Sequence, residues 1–431
     1  MKVIGFDTSA LDPGFKAHAG RGIGRYVAEL AHFFEREFSS RSASSSMKFD
    51  VASFDHRSLE RHGGLGVRAA TAVLKASPIL RTTLKQQVLF PFQLSRAEGS
   101  SFTDNASVVM DAVHFPAQMD APAWGLRRYA LTVLDLIPLV CADLYRAKRS
   151  GIRFKFARWL ELQAIRNASL VLCISAHTAR DVHELLGVPW ERLIVTPLGV
   201  DEKFFAASTP REALALRSKY GLSGIQEKRP LVLYVGGIDP RKNVGVMVRA
   251  FAETLQHFRA KPGTPQPLLF MAGRIQDDRE FPELERTIRS LGLENDVIMP
   301  GFVPDEDLLL LYSAARVFFF PSLYEGFGLP PLEAMAAGLP VVSSDTSAMP
   351  EVLGDSAVFF PPTDYQAAAQ ALVTVLSDSE RAEKLRHEGR ERARLFTWQK
   401  TGEATLRAYE RLLTEHPEAA AAPASARKRV F

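Results

Sequence analysis

The chain has 431 residues, 46% of them apolar and 24% charged, a length natural for two globular domains of roughly 200 residues each. No run approaches the ~18–20 apolar residues of a membrane span. The start, "MKVIGFDTSAL", lacks the apolar stretch of a signal peptide, so a cytoplasmic protein is expected. The net charge of +4 is uneven: residues 1–200 hold 25 Lys and Arg against 18 Asp and Glu (+7), and residues 201–431 hold 28 against 31 (−3). A basic N-terminal half would suit phosphates, nucleic acid or an anionic membrane. Cys141 and Cys173 stand in apolar stretches without metal or disulfide spacing and read as buried free thiols.

In chain order, "KVIGFD" predicts a short buried strand, "AGRGIGRYV" a glycine-rich loop, and "YVAELAHFFEREF" a helix, the strand–loop–helix unit of a parallel α/β sheet. Further strands are predicted at "KFDVASF", "SVVMDAVHF", "YALTVLDLIPLV" and "ASLVLCIS". Ser175 is placed to cap the helix "AHTARDVHELLG", and Gly187 to end it. The character changes over 196–230, where a loop, the helix "REALALRSKYG" and the polar run "LSGIQEKRP" mark a boundary. A second series follows, with strands at "PLVLYVGG", "PLLFMAG", "DVIMPGFV", "VFFFPS", "PVVSSD" and "AVFFP", and helices between them. Both halves therefore read as doubly wound sheets, with ligands expected at the carboxyl ends of the strands. The tail, "PEAAAAPASARKRVF", is of low complexity and reads as disordered.

Two segments carry chemistry. In "EGFGLPPLEAMAAGLPVV", Glu325 follows a strand and Glu333 is separated from it by seven residues. Pro330 and Pro331 suit a helix start, placing Glu333 in the first turn and Gly338 at the end. A helix start offers N–H groups and a partial positive charge to an anion. The two carboxylates would accept from sugar or ribose hydroxyls. In "YVGGIDPRKN", a strand and a glycine turn lead into Arg241 and Lys242 beside another helix start, a second phosphate site. The first turn lacks the G-x-G-x-x-G of a dinucleotide fold, and no P-loop is present.

These segments resemble the retaining glycosyltransferases of the glycogen-synthase-like and mannosyltransferase group, in which Glu325 and Glu333 match an E-x7-E pattern. The likeness extends through "GIGRYV", "CISAHTARDV", "VTPLGVD" and "MPEVLGD", and is densest from "PGFVPDEDLLLLYSAARVFFFP" to "PVV". It implies the GT-B fold, two Rossmann-like domains facing each other across a cleft. These would be an acceptor domain over 1–200, joined by a returning helix near 398–415, and a nucleotide-sugar domain over 201–397. Glu333 would then hold the ribose and Glu325 the transferred sugar. Phe327, Gly328 and Leu329 would offer backbone amides, and Lys242 and Arg241 would neutralise the diphosphate. Gly22 and Gly24 would approach the phosphates, and Gly301, Phe302 and Val303 would border the base.

Two departures stand out. Where the family often has a second phosphate-binding arginine this chain has Gly237, leaving Arg241 or Arg274 as the substitute. Where it commonly has a His-Asp pair this chain has Leu134 before Asp135, which leaves His114, at the end of another strand, as an acceptor-side candidate. No D-x-D metal motif is read beside the site, so a metal-independent reaction with no cofactor is expected. The donor would be GDP-mannose or a related deoxyhexose, with glucose and rhamnose donors left open. The acceptor would be a glycan in bacterial surface polysaccharide assembly, polyprenyl-linked and reached from the cytoplasmic face of an anionic membrane. The basic runs 68–96 and 146–159 point to that surface, and no nucleic-acid partner is expected. Two other readings share the fold: a catalytically silent sugar-nucleotide-binding subunit, and a nucleotide-sugar epimerase.

Overall fold

The computed structural model describes residues 1–12, 22–39, 48–55, 87, 110–145, 152–206, 209–222 and 228–415. It divides into two compact units. The first comprises Met1–Leu136, Tyr145–Gly199 and Trp398 onward; the second comprises Ile137–Leu144 and Val200–Thr397.

In the first unit six parallel strands form one sheet: β1 (Lys2–Asp7), β2 (Phe49–Phe54), β3 (Ala112–Phe115), β4 (Tyr129–Val133), β5 (Leu170–Cys173) and β6 (Leu193–Val195). Their order is β2-β1-β3-β4-β5-β6. Strands β3, β4 and β5 are buried along their whole length, as expected where helices cover both faces of a parallel sheet. The first helix begins at Gly22 and runs to Ser39. "GIGRYV" is thus the helix's opening turn, not a loop, while residues 13–21 lie outside the described residues. The predicted strand "YALTVLDLIPLV" stops at Val133, and Ile137–Val140 forms a helical turn instead. Pro138 has no N–H for a sheet ladder but is tolerated at a helix start. Ser175 caps Ala176–Leu186 by accepting the Thr178 N–H at 3.0 Å, and Gly187 closes it at φ 71°. The closing helix, Trp398–Thr414, packs on this unit. A Cβ at Gly402 would stand 2.3 Å from the Phe33 ring, so only glycine permits the close approach. Lys2 Nζ also donates to the Leu413 carbonyl at 2.8 Å.

The second unit repeats the plan with β7 (Leu231–Val235), β8 (Leu268–Ala272), β9 (Val297–Gly301), β10 (Val317–Phe320), β11 (Val341–Ser344) and β12 (Ala357–Phe360). The order is β12-β11-β10-β7-β8-β9, all parallel. Strand β10 shows why "VFFF" is a strand: its three phenylalanines are all 0% exposed. Alternation sends Phe318 and Phe320 to one face, stacked at 5.9 Å, and Phe319 to the other, against Phe360. Burying each ring stabilises the unit by about 2 kcal/mol. The sheet reverses its winding between β7 and β10. A crevice opens at such a point, outside the carboxyl ends of the two strands. After β12 come two helices, Tyr365–Ser377 and Ser379–Ala393, with Asp378 between them capping the second. The tail 416–431 lies outside the described residues.

Candidate active site

Two loops leave the carboxyl ends of β7 and β10. After β7, Gly236 and Gly237 lead to Asp239, whose carboxylate accepts the Arg241 N–H at 3.3 Å and starts a short 3-10 turn, Pro240–Lys242. Asn243 follows in the left-handed region at φ 56°. Its Nδ2 donates to the carbonyls of Pro321 (3.0 Å) and Pro362 (2.6 Å), joining the ends of β7, β10 and β12. The Leu323 N–H donates to the Arg241 carbonyl at 2.7 Å, so the two loops run side by side.

This brings three of the predicted residues into contact. Glu325 Oε1 lies 2.6 Å from Lys242 Nζ and 2.7 Å from Arg241 Nη1. All three side chains are at most one-fifth exposed, and Lys242 Nζ also stands 5.0 Å over the Phe320 ring. Burial pushes the Glu325 carboxyl toward the neutral form, but Lys242 and Arg241 outweigh it and hold it below the ordinary carboxylate range. Burial depresses the Lys242 ammonium, and Glu325 opposes that shift. Counted as two cations and one carboxylate, the trio has a formal net charge of +1. A mutually paired set of this kind stays charged out of water because each desolvation penalty is offset by a partner at contact distance.

The helix Leu329–Ala336 starts after Gly328, whose φ is 102°. A Cβ there would meet Met349 Cε at 2.4 Å, so the turn requires glycine. Two expectations change here. Glu333 lies in the second turn, not the first. The prolines fall at the second and third helical positions, so they remove two of the N–H groups a helix start would offer. The amides left at this edge are those of Phe327, Gly328 and Leu329. Glu333 is buried (4% exposed), and its Oε2 accepts from the Tyr312 hydroxyl at 3.1 Å. At the end of β9, Gly301 has φ 86°, Phe302 is 64% exposed under the Arg274 guanidinium at 5.3 Å, and Val303 is buried. Arg274 therefore keeps company with Phe302, while Arg241 shares Glu325 with Lys242. A D-x-D string also stands close in sequence, Asp305–Glu306–Asp307, contrary to expectation. Its Asp307 is engaged by Lys219 and Tyr220, each at 2.6 Å, and its Asp305 by Lys203 at 3.4 Å.

The remaining predicted residues belong to the first unit. Gly22 and Gly24 are in the opening turn of its first helix, Gly22 exposed and Gly24 buried. Asp135 follows β4 half-buried, its carbonyl accepting from Gln118 Nε2 at 2.8 Å, while the Leu134 N–H donates to Gln118 Oε1 at 3.1 Å. His114 is not an acceptor-side residue. It is 0% exposed, with Nδ1 at 2.7 Å from the Tyr409 hydroxyl and Nε2 at 2.8 Å from Thr132 Oγ1, which itself meets the Tyr26 hydroxyl at 3.0 Å. Burial pushes the imidazole down to about 3. It is a neutral core histidine with both ring nitrogens bonded.

Sequence reasoning missed Tyr312, Asn243 and Gln118 as supports. Tyr312 sits in the apolar helical run "LLLLYSAA" and nothing in its spacing marks it. Asn243 does carry a signal, as a residue that tolerates left-handed backbone immediately before a helix.

The chain matches the family described as Glycosyl transferases group 1 over residues 221–392, and that described as Glycosyltransferase Family 4 over 20–204. It is 32% identical over 291 residues to the O-antigen chain mannosyltransferase B of Escherichia coli, covering 67% of this chain and 71% of that one. It is 27% identical over 377 residues to the serotype-specific mannosyltransferase WbdA of Escherichia coli, covering 85% of this chain but only 41% of that longer protein. Among solved structures, sucrose-phosphate synthase from Thermosynechococcus elongatus superposes with a TM-score of 0.67 at 22% identity, over 96% of this chain and 99% of the other. WaaG, a glycosyltransferase involved in lipopolysaccharide biosynthesis, gives 0.60 at 17% identity, over 96% and 100%. The structural likenesses show a shared fold of the GT-B type.

Proposed function

The chain belongs to the group 1 glycosyl transferases, and from that membership we propose that it moves mannose, or a related deoxyhexose, from a GDP-sugar to a glycan hydroxyl with retention of configuration. The observation that supports this most is the Lys242–Arg241–Glu325 cluster at the winding reversal of the second sheet. A nucleoside diphosphate suits such a place: cations take the diphosphate, and the carboxylate accepts from hydroxyls of the sugar. As the bond between the anomeric carbon and the diphosphate oxygen breaks, negative charge grows on that oxygen. Lys242 and Arg241 are preorganised to stabilise it. The acceptor oxygen bonds to the same face of the carbon, and its proton passes to the departing phosphate. Glu333, braced by Tyr312, is the ribose acceptor of this reading. The relatives named as mannosyltransferases, one of them for the O-antigen chain, support mannose as the sugar and a surface polysaccharide as the product.

A thermal-shift series with GDP, UDP, ADP and dTDP tests the donor, because a ligand bound only by the folded state raises the melting temperature. GDP is expected to give the largest rise, followed by mannosyl transfer to a glycan acceptor. A rise with UDP alone would overturn the guanine base. GDP-mannose turnover with no acceptor requirement would favour an epimerase, and donor binding without turnover a silent subunit.

The acceptor is read as polyprenyl-linked, with the protein resting on an anionic membrane. No described helix is long and apolar enough to cross a membrane. The basic run 68–96 lies outside the described residues apart from Gln87, as do 146–151. What supports docking is the sequence charge and one surface of the first unit. Trp124 (49% exposed), Phe156 (53%) and Trp159 (36%) cluster there, with ring centroids 5.3 and 5.8 Å apart. Exposed Lys155 lies on the same helix, Ile152–Asn167. Aromatic rings enter a lipid interface, and each basic residue adds about 1 kcal/mol at an anionic one. Co-sedimentation with anionic vesicles at low salt, lost at high salt and weakened in Phe156→Ser, is the expected result. Equal binding to neutral vesicles, or none at all, would favour a soluble acceptor.

A further inference from the structure

The loop that carries Glu325 is held from β11 by contacts that the donor reading does not use. The hydroxyl of Ser344, the last residue of β11, donates to the Ser322 carbonyl at 2.5 Å. Beyond the strand a tight turn runs from Thr346 to Met349, closed by the Met349 N–H on the Thr346 carbonyl at 3.1 Å. Ser347 Oγ accepts the backbone N–H of Glu325 itself at 3.0 Å. At the other end of the loop the Met349 thioether packs on the Gly328 Cα, where a Cβ would be excluded. The turn therefore grips the Glu325–Gly328 segment at both ends. Ser347 has φ 54°, a left-handed backbone that serine rarely adopts and glycine adopts without cost. A strained residue persists where something offsets the strain, and here the hydroxyl on Glu325 is the contact that glycine would lose.

We propose that Ser347 is a positioning residue for sugar transfer: its strained turn fixes the backbone of Glu325 and so aims the carboxylate at the sugar. This rests on the glycosyltransferase reading above, but it concerns a residue that touches neither cation nor nucleotide. Ser347→Gly separates the two possible roles, because it relieves the strain while deleting the acceptor. Its melting temperature is expected to equal or exceed that of the parent protein. Even so, amide exchange in the segment Leu323–Gly328 should quicken about tenfold, and kcat should fall about five- to tenfold, the loss of one hydrogen bond. Affinity for GDP, which lacks the sugar, should stay within twofold. Ser347→Asn, which tolerates the same backbone and supplies a side-chain oxygen, should recover part of both losses.

Unchanged exchange and kcat in Ser347→Gly would overturn the proposal. So would a parallel loss of melting temperature, GDP affinity and kcat, which marks a merely structural serine. If the parent protein transfers no sugar from any donor, the transferase reading fails, and amide exchange alone still decides whether Ser347 holds Glu325.

Discussion

Glu325→Gln should lower kcat for sugar transfer by about two to three orders of magnitude, the scale of losing a preorganised polar contact at the reacting centre, while binding GDP as well as the parent or more tightly. The two effects have opposite signs because the carboxylate has two partners. Toward the sugar it is an acceptor, and an amide supplies that function poorly and with no charge. Toward Lys242 and Arg241, at 2.6 and 2.7 Å, it is the neutralising anion. Removing its charge takes the trio from +1 to +2, with Asp239 still 3.8 Å from Arg241, and strengthens the attraction for a diphosphate. Glutamine is the informative substitution. Glu325→Ala also deletes the side chain and leaves two largely buried cations with the more distant Asp239, 3.8 Å from Arg241, in place of a contact carboxylate, which costs about 3–5 kcal/mol and confuses misfolding with lost chemistry. Titration calorimetry with GDP beside steady-state kinetics checks both signs. Near-normal kinetics in Glu325→Gln would remove the residue from the site. Weakened GDP binding would show that the cations depend on Glu325 for their placement.

Much of this site is legible in the sequence. The runs "PLVLYVGG" and "VFFFPS" are too apolar and too short for anything but buried strands, and each leads into polar residues, so both polar segments had to lie at carboxyl ends. The missing information was adjacency. Lys242 and Glu325 are 83 positions apart, and they meet only because β7 pairs with β10, a choice of sheet order that periodicity does not encode. Composition misled at His114, which follows apolar residues at a strand end just as a catalytic histidine would. Its burial comes from the returning helix, whose Tyr409 lies 295 positions away. The helix start was misplaced for a local reason. Pro330 and Pro331 suit any of the first few helical positions, and the residue that decides is Gly328, whose left-handed φ and close approach to Met349 both exclude a side chain. Ser347 carried no sequence signal, since serine in a turn is ordinary; its φ gives it away.

Lys242→Met should weaken GDP binding and lower kcat by about two to three orders of magnitude, whereas Arg274→Ala, whose side chain is exposed over Phe302, should cost no more than about threefold, the scale of a solvent-exposed charge contact. Methionine keeps most of the packing against Phe320, so the loss reports charge. It also reports on Glu325. In the parent protein burial raises the carboxyl pKa, and Lys242, the strongest opposing charge, together with Arg241 reverses the shift. Without the ammonium the burial effect is opposed by Arg241 and the Ser322 side chain but no longer by Lys242, and the carboxyl pKa rises. Glu325 then protonates at a higher pH, so the acid limb of the kcat/KM profile should move upward in Lys242→Met and stay in place in Arg274→Ala. The same two cations make a metal unnecessary in this proposal, because they supply the charge that a divalent ion would otherwise place on the diphosphate. Transfer by the parent protein should therefore persist in a chelator. Activity lost in chelator and restored by magnesium would assign the leaving-group charge to a metal. An unmoved acid limb in Lys242→Met would break the coupling between lysine and glutamate on which this account depends.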